Sequence, residues 1–321
     1  MHAFRVIRRS LGAGSLALLL GGCGATHLAT SGETAIAQSA ISPTPRSPSV
    51  RSTSLTPQIY TPANWPESLT ARVRLPETPN AGLRPAALIV HGGGWRGRSP
   101  ADMEKIARQL AGQGYVTVNV EYRFAPRYRF PAQLHDLQQA MRWIHDNAER
   151  LEVDTDRIVG VGYSSGAHLV SLLALASQTG PLAEPYGGEH TRLRAAAVGG
   201  LPSDLLKFND GELVIGLLGG TRDEVYDAYV QASPIRQLTP KAPPFFLFHG
   251  NRDRLVPVDH ARDFYEALRA QGTPAELYLQ HGRGHIAAFL LRGGAVDAAI
   301  AFLNREVNRK VDNGPDTQPS G

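Results

Sequence analysis

The stretch Gly162-Tyr163-Ser164-Ser165-Gly166 follows one run of apolar residues and precedes another. This G-x-S-x-G pattern is typical of a sharp turn that joins a buried strand to a helix and holds the serine at its tip. A glycine run, His91-Gly92-Gly93-Gly94-Trp95, stands earlier in the chain. The backbone N–H groups of such a run can point at a developing oxyanion. In this order, the two stretches predict acyl-group hydrolysis at a serine.

Strands and helices are predicted to alternate on both sides of the serine turn. Short apolar runs predict buried strands at 87–90, 115–120, 157–162, 194–198, 244–248 and 275–279. Capping residues and apolar periodicity predict helices at 100–111, from 130 onward, and at 167–176, 259–270 and 295–307. Repeated strand–helix units favour an α/β fold with a mainly parallel central sheet flanked by helices. Functional sites of such sheets lie at the carboxyl ends of the strands.

Ser164 would lie at a helix N-terminus, where free N–H groups and the helix dipole favour negative charge. A serine hydroxyl needs a neighbouring base to become a nucleophile. His285, in a loop after the last predicted strand, is the candidate base. His281 is the alternative, but it directly follows the strand and would fill the strand end. A metal pair of His281 and His285 lacks a convincing carboxylate partner, so we predict no metal site.

The acid that orients the histidine is expected between serine and base along the chain. Asp253 directly follows the predicted strand 244–248 and is the candidate that would fix the histidine tautomer. Asp259 is a near alternative, although its place at the start of a predicted helix suggests an N-cap. The candidate oxyanion donors are the N–H groups of Gly93, Gly94 and Ser165.

At these residues the chain resembles the α/β-hydrolase superfamily over residues 58–309. It is most similar to HGGG-type esterases, namely the hormone-sensitive-lipase-like enzymes and the bacterial feruloyl-esterase-like (BD-FAE) group. The matching motifs are 91–95, 121–126, 162–169, 232–234 and 249–257. The resemblance implies carboxylic-ester hydrolysis by a Ser164/Asp253/His285 triad, without a cofactor.

The serine turn departs from the Asp-Ser-Ala-Gly-Gly that is usual in the lipase-like branch, since Tyr163 precedes Ser164. This difference favours the feruloyl-esterase-like group and is also similar to arylformamidases. The latter usually have a bulkier residue where Gly94 stands.

The N-terminus is typical of an export signal. Three arginines among the first nine residues precede an apolar run at 11–20, which is too short to span a bilayer. Leu20-Gly21-Gly22-Cys23 resembles the lipobox of bacterial lipoproteins, which predicts lipidation of Cys23, although an ordinary signal peptide and a twin-arginine signal are alternatives. Because Cys23 is the only cysteine, disulfides are excluded. We expect a membrane-anchored protein of the cell envelope, on the periplasmic or outer face.

Composition divides the chain into a signal peptide at 1–22, a disordered Ser/Thr/Pro/Ala tether at 23–57, a hydrolase domain at 58–310 and a disordered tail at 311–321. The chain has 33 basic and 29 acidic side chains, and three of the basic ones lie in the predicted signal. The remainder is nearly neutral, which gives no basis for nucleic-acid binding.

The segment 201–240, between two predicted strands, is expected to form a small lid and a substrate wall. Its apolar side suits an acyl or aryl group, although ordinary packing explains it equally well. The leading hypothesis is a serine carboxylesterase that acts on small-molecule short-chain or aryl esters. An amide hydrolase such as an arylformamidase is the alternative on the same residues, and a tethered binding module without activity is a third hypothesis.

Overall fold

The computed structural model describes residues 24–29, 52–77, 82–208 and 211–309. Its central strand, β5 (Arg84–Val90), shows how the sequence builds a core on two faces. Successive side chains of a strand point to opposite faces of the sheet. Leu88 and Val90 therefore join the apolar core on one face, while Ala87 and Ile89 join the core on the other.

The described residues contain ten strands in one sheet. Besides β5, the strands are β1 (Ala25–Leu28), β2 (Ser52–Ser54), β3 (Gln58–Ile59), β4 (Thr70–Pro76), β6 (Val116–Val120), β7 (Val153–Tyr163), β8 (Ala195–Gly199), β9 (Phe245–Gly250) and β10 (Ala275–Gln280). Their order is β1-β10-β9-β8-β7-β5-β6-β4-β2, and β3 also pairs with β4. The strands β5 to β10 are parallel, whereas β1 to β4 pair antiparallel.

Helices cover both faces of the sheet. They are α1 (Glu104–Ala111), α2 (Ala132–Asp146), α3 (Ala148–Leu151), α4 (Ser165–Ala176), α5 (Glu212–Leu218), α6 (Tyr226–Gln231), α7 (Asp259–Ala270), α8 (His285–Leu290) and α9 (Gly293–Asn308). The apolar sides of α1 and α9 fill one core, and those of α2, α4 and α7 fill the other. The predicted fold class, a mainly parallel sheet flanked by helices, is confirmed.

Two short segments of the predicted disordered tether at 23–57 are strands. β1 pairs with β10 at one edge of the sheet, and β2 pairs with β4 at the other. Both strands are short and rich in Ser, Thr and Ala, so their own apolar surface is small. The unpaired backbone groups of the edge strands β10 and β4 supply the hydrogen bonds that order them.

The predicted signal peptide, Cys23 and the predicted tail at 311–321 lie outside the described residues. Within the described ranges, no helix combines the length and the apolar character that crossing a membrane requires.

Candidate active site

The turn between β7 and α4 holds Ser164 in a backbone conformation that residues other than glycine rarely adopt. Ser164 has φ 54° and ψ −122°. A non-glycine residue in this region is strained, and such strain persists only where the surroundings fix it. The surroundings do so here through close backbone approach. A Cβ on Gly166 would lie 2.5 Å from the His91 carbonyl oxygen, and one on Gly162 would lie 2.7 Å from the Ala167 nitrogen.

Three side chains from three loops meet at the carboxyl ends of the parallel strands. Ser164 follows β7, Asp253 follows β9 and His285 follows β10. His285 Nε2 lies 2.9 Å from Ser164 Oγ, and its Nδ1 lies 2.6 Å from Asp253 Oδ2. The structure therefore brings together the three residues that the sequence singled out, in the order nucleophile, base and acid.

The Asp253 carboxylate is buried and held by donors on both oxygens. Its Oδ1 accepts the backbone N–H groups of Leu255 and Val256, each at 2.9 Å, and its Oδ2 accepts His285. Burial acts to raise the pKa of Asp253, but the bonds from His249, His285 and the Val256 backbone outweigh it and hold the pKa well below its ordinary value. Asp253 is therefore ionised at neutral pH and can stabilise a positive charge on His285.

His249 is a second imidazole at the acid, and sequence reasoning assigned it no role. Its Nε2 donates to the Val256 carbonyl at 2.8 Å and lies 3.3 Å from Asp253 Oδ2. The side chain is fully buried at the end of β9. The signal available in the sequence was its position, since it ends an apolar strand four residues before the candidate acid.

The glycine run lies directly against the serine turn. A Cβ on Gly92 would lie 3.3 Å from Ser164 Cβ. Gly93 has φ 125°, and a side chain there would lie 2.8 Å from Arg98 Cγ, so this position requires glycine. The N–H groups of Gly93 and Gly94 meet no hydrogen-bond acceptor within the described part of the chain. They are therefore free to donate to a substrate oxygen, as is expected of oxyanion donors.

Ser165 begins α4, so its N–H has no partner one turn earlier in the helix. Its hydroxyl lies 3.3 Å from that of Tyr122, which also donates to the His91 carbonyl at 3.1 Å. The His91 ring stacks on Tyr122 with centroids 4.6 Å apart. These contacts join the glycine run to the first turn of α4, so both sets of candidate oxyanion donors are fixed relative to Ser164.

Two further aromatic residues fix the backbone around the site through hydrogen bonds. Tyr163 donates its hydroxyl to the His285 carbonyl at 2.6 Å. Burial raises the pKa of Tyr163, which keeps this donor protonated. Trp95 is buried, and its indole N–H donates to His168 Nδ1 at 3.3 Å. The sequence left open whether Trp95 packs on the loop, and this contact shows that it packs against α4.

The alternatives raised from the sequence occupy other positions. His281 Nε2 lies 2.8 Å from Thr26 Oγ1, so His281 fills the strand end beside β1. Asp259 opens α7 and forms an ion pair with Lys207 at 2.8 Å. Among the residues that the structure describes, no cluster of His, Cys, Asp or Glu could hold a metal ion.

The segment 201–240 forms α5 and α6 with short 3₁₀ turns beside them. Leu205 and Leu217 are fully buried and belong to the core. Leu213 is only partly buried, and its side chain would lie 3.1 Å from a Cβ on Gly94. Leu213 is thus the apolar residue of this segment that borders the candidate oxyanion donors.

Comparisons with known proteins agree with this geometry. The BD-FAE family model matches residues 73–268. The esterase LipC of Mycobacterium tuberculosis is 32% identical over 240 residues, which cover 70% of this chain and 59% of that protein. Isoprenylcysteine alpha-carbonyl methylesterase ICME of Arabidopsis thaliana is 28% identical over 249 residues, which cover 71% of this chain and 58% of that protein. The chain thus spans less than two thirds of the length of these relatives.

Solved esterase structures share the fold over most of the chain. Thermogutta terrifontis esterase 2, phosphoramylated by tabun, matches with a TM-score of 0.67 at 25% identity, over 79% of this chain and 96% of that one. A truncated carbohydrate esterase from gut microbiota matches with a TM-score of 0.71 at 20% identity, over 82% of this chain and 98% of that one. With the family model matching more than half of its residues, the chain belongs to the BD-FAE family of the α/β-hydrolase superfamily.

Proposed function

We propose that this protein is a serine carboxylesterase that hydrolyses short-chain or aryl carboxylic esters. The observation that carries the proposal is the hydrogen-bonded chain from Ser164 Oγ through His285 to the ionised Asp253. The named relatives are esterases, and the matched Thermogutta terrifontis enzyme is an esterase that tabun phosphoramylates. We expect Ser164 Oγ to be a nucleophile of the kind that reacts with such a reagent.

In the proposed reaction, Ser164 Oγ attacks the ester carbonyl while His285 Nε2 takes the hydroxyl proton. The carbonyl oxygen gains negative charge, and the N–H groups of Gly93, Gly94 and Ser165 donate to it. The C–O bond to the alcohol then breaks, His285 returns the proton to the leaving alcohol, and an acyl-enzyme remains. Water, activated by His285, hydrolyses that ester and releases the acid.

An apolar side chain borders the candidate oxyanion donors. Leu213 is only partly buried, and a Cβ on Gly94 would lie 3.1 Å from it. This apolar surface suits the acyl or aryl group of such an ester, and the substrate series below measures the preferred chain length.

The test is hydrolysis of p-nitrophenyl acetate, butyrate and dodecanoate by the full chain beside two serine variants. Ser164→Ala should lower kcat by about 10⁴-fold or more. The control is Ser171→Ala, a buried serine of α4 whose hydroxyl donates to the Ala167 carbonyl at 2.8 Å, away from the other two triad residues. Wild-type turnover in Ser164→Ala would overturn the proposal. Matched ester and amide substrates separate an esterase from an amide hydrolase, and faster turnover of the amide would favour the latter.

A lipid anchor on Cys23 and a place in the cell envelope belong to the same proposal. They rest on the basic start, the apolar run at 11–20 and the lipobox-like 20–23. Several acyl chains on one residue would anchor firmly, since each buried CH₂ contributes about 0.8 kcal/mol. Cys23→Ala should move most of the protein out of the membrane fraction, and a variant that sediments with membranes as completely as the wild type would contradict the anchor.

A further inference from the structure

A group of large apolar side chains is exposed beside the candidate active site. Seven large apolar side chains are strongly exposed among the described residues, and four of them lie on the loop that carries Asp253 or on α8 and its C-cap, which follow from His285. We call these four the α8 rim: Leu255, Ile286, Leu290 and Leu291, each more than half exposed. Exposed apolar groups that cluster in this way mark an interaction surface more often than isolated ones do.

The loop after β9 and the segment that leads into α8 form one surface. The backbone N–H of Arg252 donates to the Arg283 carbonyl at 2.9 Å, and Asp253 bonds to His285 across the same junction. Arg252 and Arg254 are exposed on the first loop. Neither arginine forms an ion pair with another residue in the described ranges. The surface thus combines apolar side chains with positive charge, a combination that fits a membrane with anionic headgroups.

The start of the described chain is fixed at the same edge of the sheet. β1 runs antiparallel to β10, with Ala25 opposite Gln280, so its first residue lies at the carboxyl end of β10. The Gly24 carbonyl accepts the His281 N–H at 3.0 Å, four residues before the candidate base. Gly24, the residue after Cys23, is therefore held at the loop that leads from β10 to α8. A lipid on Cys23 would need no long tether to bring the bilayer to the α8 rim.

We propose that the α8 rim docks on an anionic lipid bilayer and turns the mouth of the candidate active site towards the membrane surface. This proposal rests on the anchor proposed for Cys23, which would bring the bilayer to this edge of the sheet. Docked in this way, Ser164 faces esters that lie in the membrane interface rather than those in bulk water.

Depth-dependent fluorescence tests the orientation in the full-length protein. Leu290→Cys carries an environment-sensitive fluorophore on the α8 rim. Leu83→Cys carries it just before β5, at the amino ends of the parallel strands and thus away from the candidate active site. Leu83 is 54% exposed and Leu290 is 66% exposed, which makes them a matched pair. The unsubstituted chain, treated with the same reagent, reports any labelling of Cys23. Each protein is reconstituted into vesicles of phosphatidylethanolamine and phosphatidylglycerol, with or without spin-labelled lipid.

The proposal predicts a blue shift and strong quenching by the spin-labelled lipid at position 290, and neither effect at position 83. A probe at 290 that stays in water on vesicle-bound protein overturns the docking and leaves the anchor intact. A full chain that does not sediment with the vesicles overturns both. A probe at 290 that is shielded from water but not quenched by lipid overturns the docking in favour of a contact with a second copy or another protein.

A flotation assay tests the surface without the anchor. Cys23→Ala should retain weak binding to the anionic vesicles, and adding Leu290→Ser and Leu291→Ser should abolish it. Adding Leu83→Ser instead should leave it unchanged. Equal flotation of the two combined variants would overturn the proposal, and circular dichroism checks that each variant is folded.

Discussion

The imidazole of His249 shares a carboxylate oxygen with the candidate base: its Nε2 lies 3.3 Å from Asp253 Oδ2, which also accepts His285 at 2.6 Å. Because His249 is fully buried and its N–H also donates to the Val256 carbonyl, it cannot swing away to water. It therefore restricts the position of the oxygen that orients His285.

We predict that His249→Phe lowers kcat/KM by about tenfold, the equivalent of one lost hydrogen bond to a charged group. The phenylalanine keeps the ring and its burial but removes the N–H, and most of the loss should appear in kcat because Asp253 acts through His285. Steady-state kinetics on p-nitrophenyl butyrate measures this effect.

His249→Gln, which retains a donor, is the control and should recover part of the loss. A His249→Phe variant with wild-type kcat and an unchanged urea midpoint would show that the contact with Asp253 has no part in positioning. If kcat and the urea midpoint fell equally in His249→Phe and His249→Gln, the role of His249 would be in packing alone.

Gly166→Ala should unfold the serine turn, because the new Cβ would lie within 2.5 Å of the His91 carbonyl and overlap that of Val90. Both are backbone atoms of the neighbouring loop and strand, which cannot yield without moving the glycine run. We expect a loss of several kcal/mol in the free energy of unfolding, as for other overpacked core sites. Urea denaturation followed by circular dichroism measures it.

Gly97→Ala is the matched control for this prediction. Gly97 lies in the loop after the glycine run, and a Cβ there meets no atom within 4 Å. Its stability should stay within about 0.5 kcal/mol of the wild type. Equal stability of Gly97→Ala and Gly166→Ala would refute the close-approach argument.

Asp136→Asn should destabilise the fold by about 3–5 kcal/mol, because it leaves Arg123 buried without a counter-charge. Asp136 is fully buried and accepts Arg123 Nε at 2.8 Å, the Arg123 backbone N–H at 2.9 Å and the Trp65 indole N–H at 2.8 Å. The partly exposed pair of Asp154 and Arg157 is the comparison, and Asp154→Asn should cost less than about 1 kcal/mol. If the two variants had the same urea midpoint, the prediction that the buried Asp136–Arg123 pair matters more to stability would be contradicted.

The candidate site was predictable because each of its residues is marked by a short motif in its own stretch of sequence. Each strand-to-loop junction carries one chemically distinctive residue, and the carboxyl ends of parallel strands share an edge of the sheet. That rule alone brings Ser164, Asp253 and His285 to one place. Helix α7 was likewise predicted with its observed bounds, Asp259–Ala270, because its apolar periodicity and its boundaries are local.

The edge strands and the second histidine were not predictable in this way. β1 is a four-residue strand whose partner, β10, lies some 250 residues later, so nothing in its own composition separates it from a tether. Pairing at a sheet edge depends on backbone groups, which the sequence does not display. His249 ends an apolar strand, and only the fold shows that Asp253 turns back to within reach of it.

The last prediction concerns pH and the buried His168. The Trp95 indole N–H donates to its Nδ1, and an indole only donates, so Nδ1 carries a lone pair and Nε2 carries the proton that is given to the Ala232 carbonyl at 2.6 Å. Burial lowers the pKa of His168 to about 4, although the bond to Ala232 opposes this. The folded pKa is thus below the unfolded value of about 6.5, so between these pH values the unfolded state binds more protons.

Stability should therefore fall as pH drops from about 6.5 towards 4, and His168 should contribute nothing to the pH dependence above about pH 7.5. One proton accounts for at most about 1.4 kcal/mol per pH unit. His168→Gln can keep both hydrogen bonds through its amide but cannot titrate. Its free energy of unfolding, from urea titrations at pH 7.5 and pH 5, should fall less than that of the wild type. Equal losses in the two proteins would mean that His168 does not titrate on unfolding in this range, and that the loss comes from other groups.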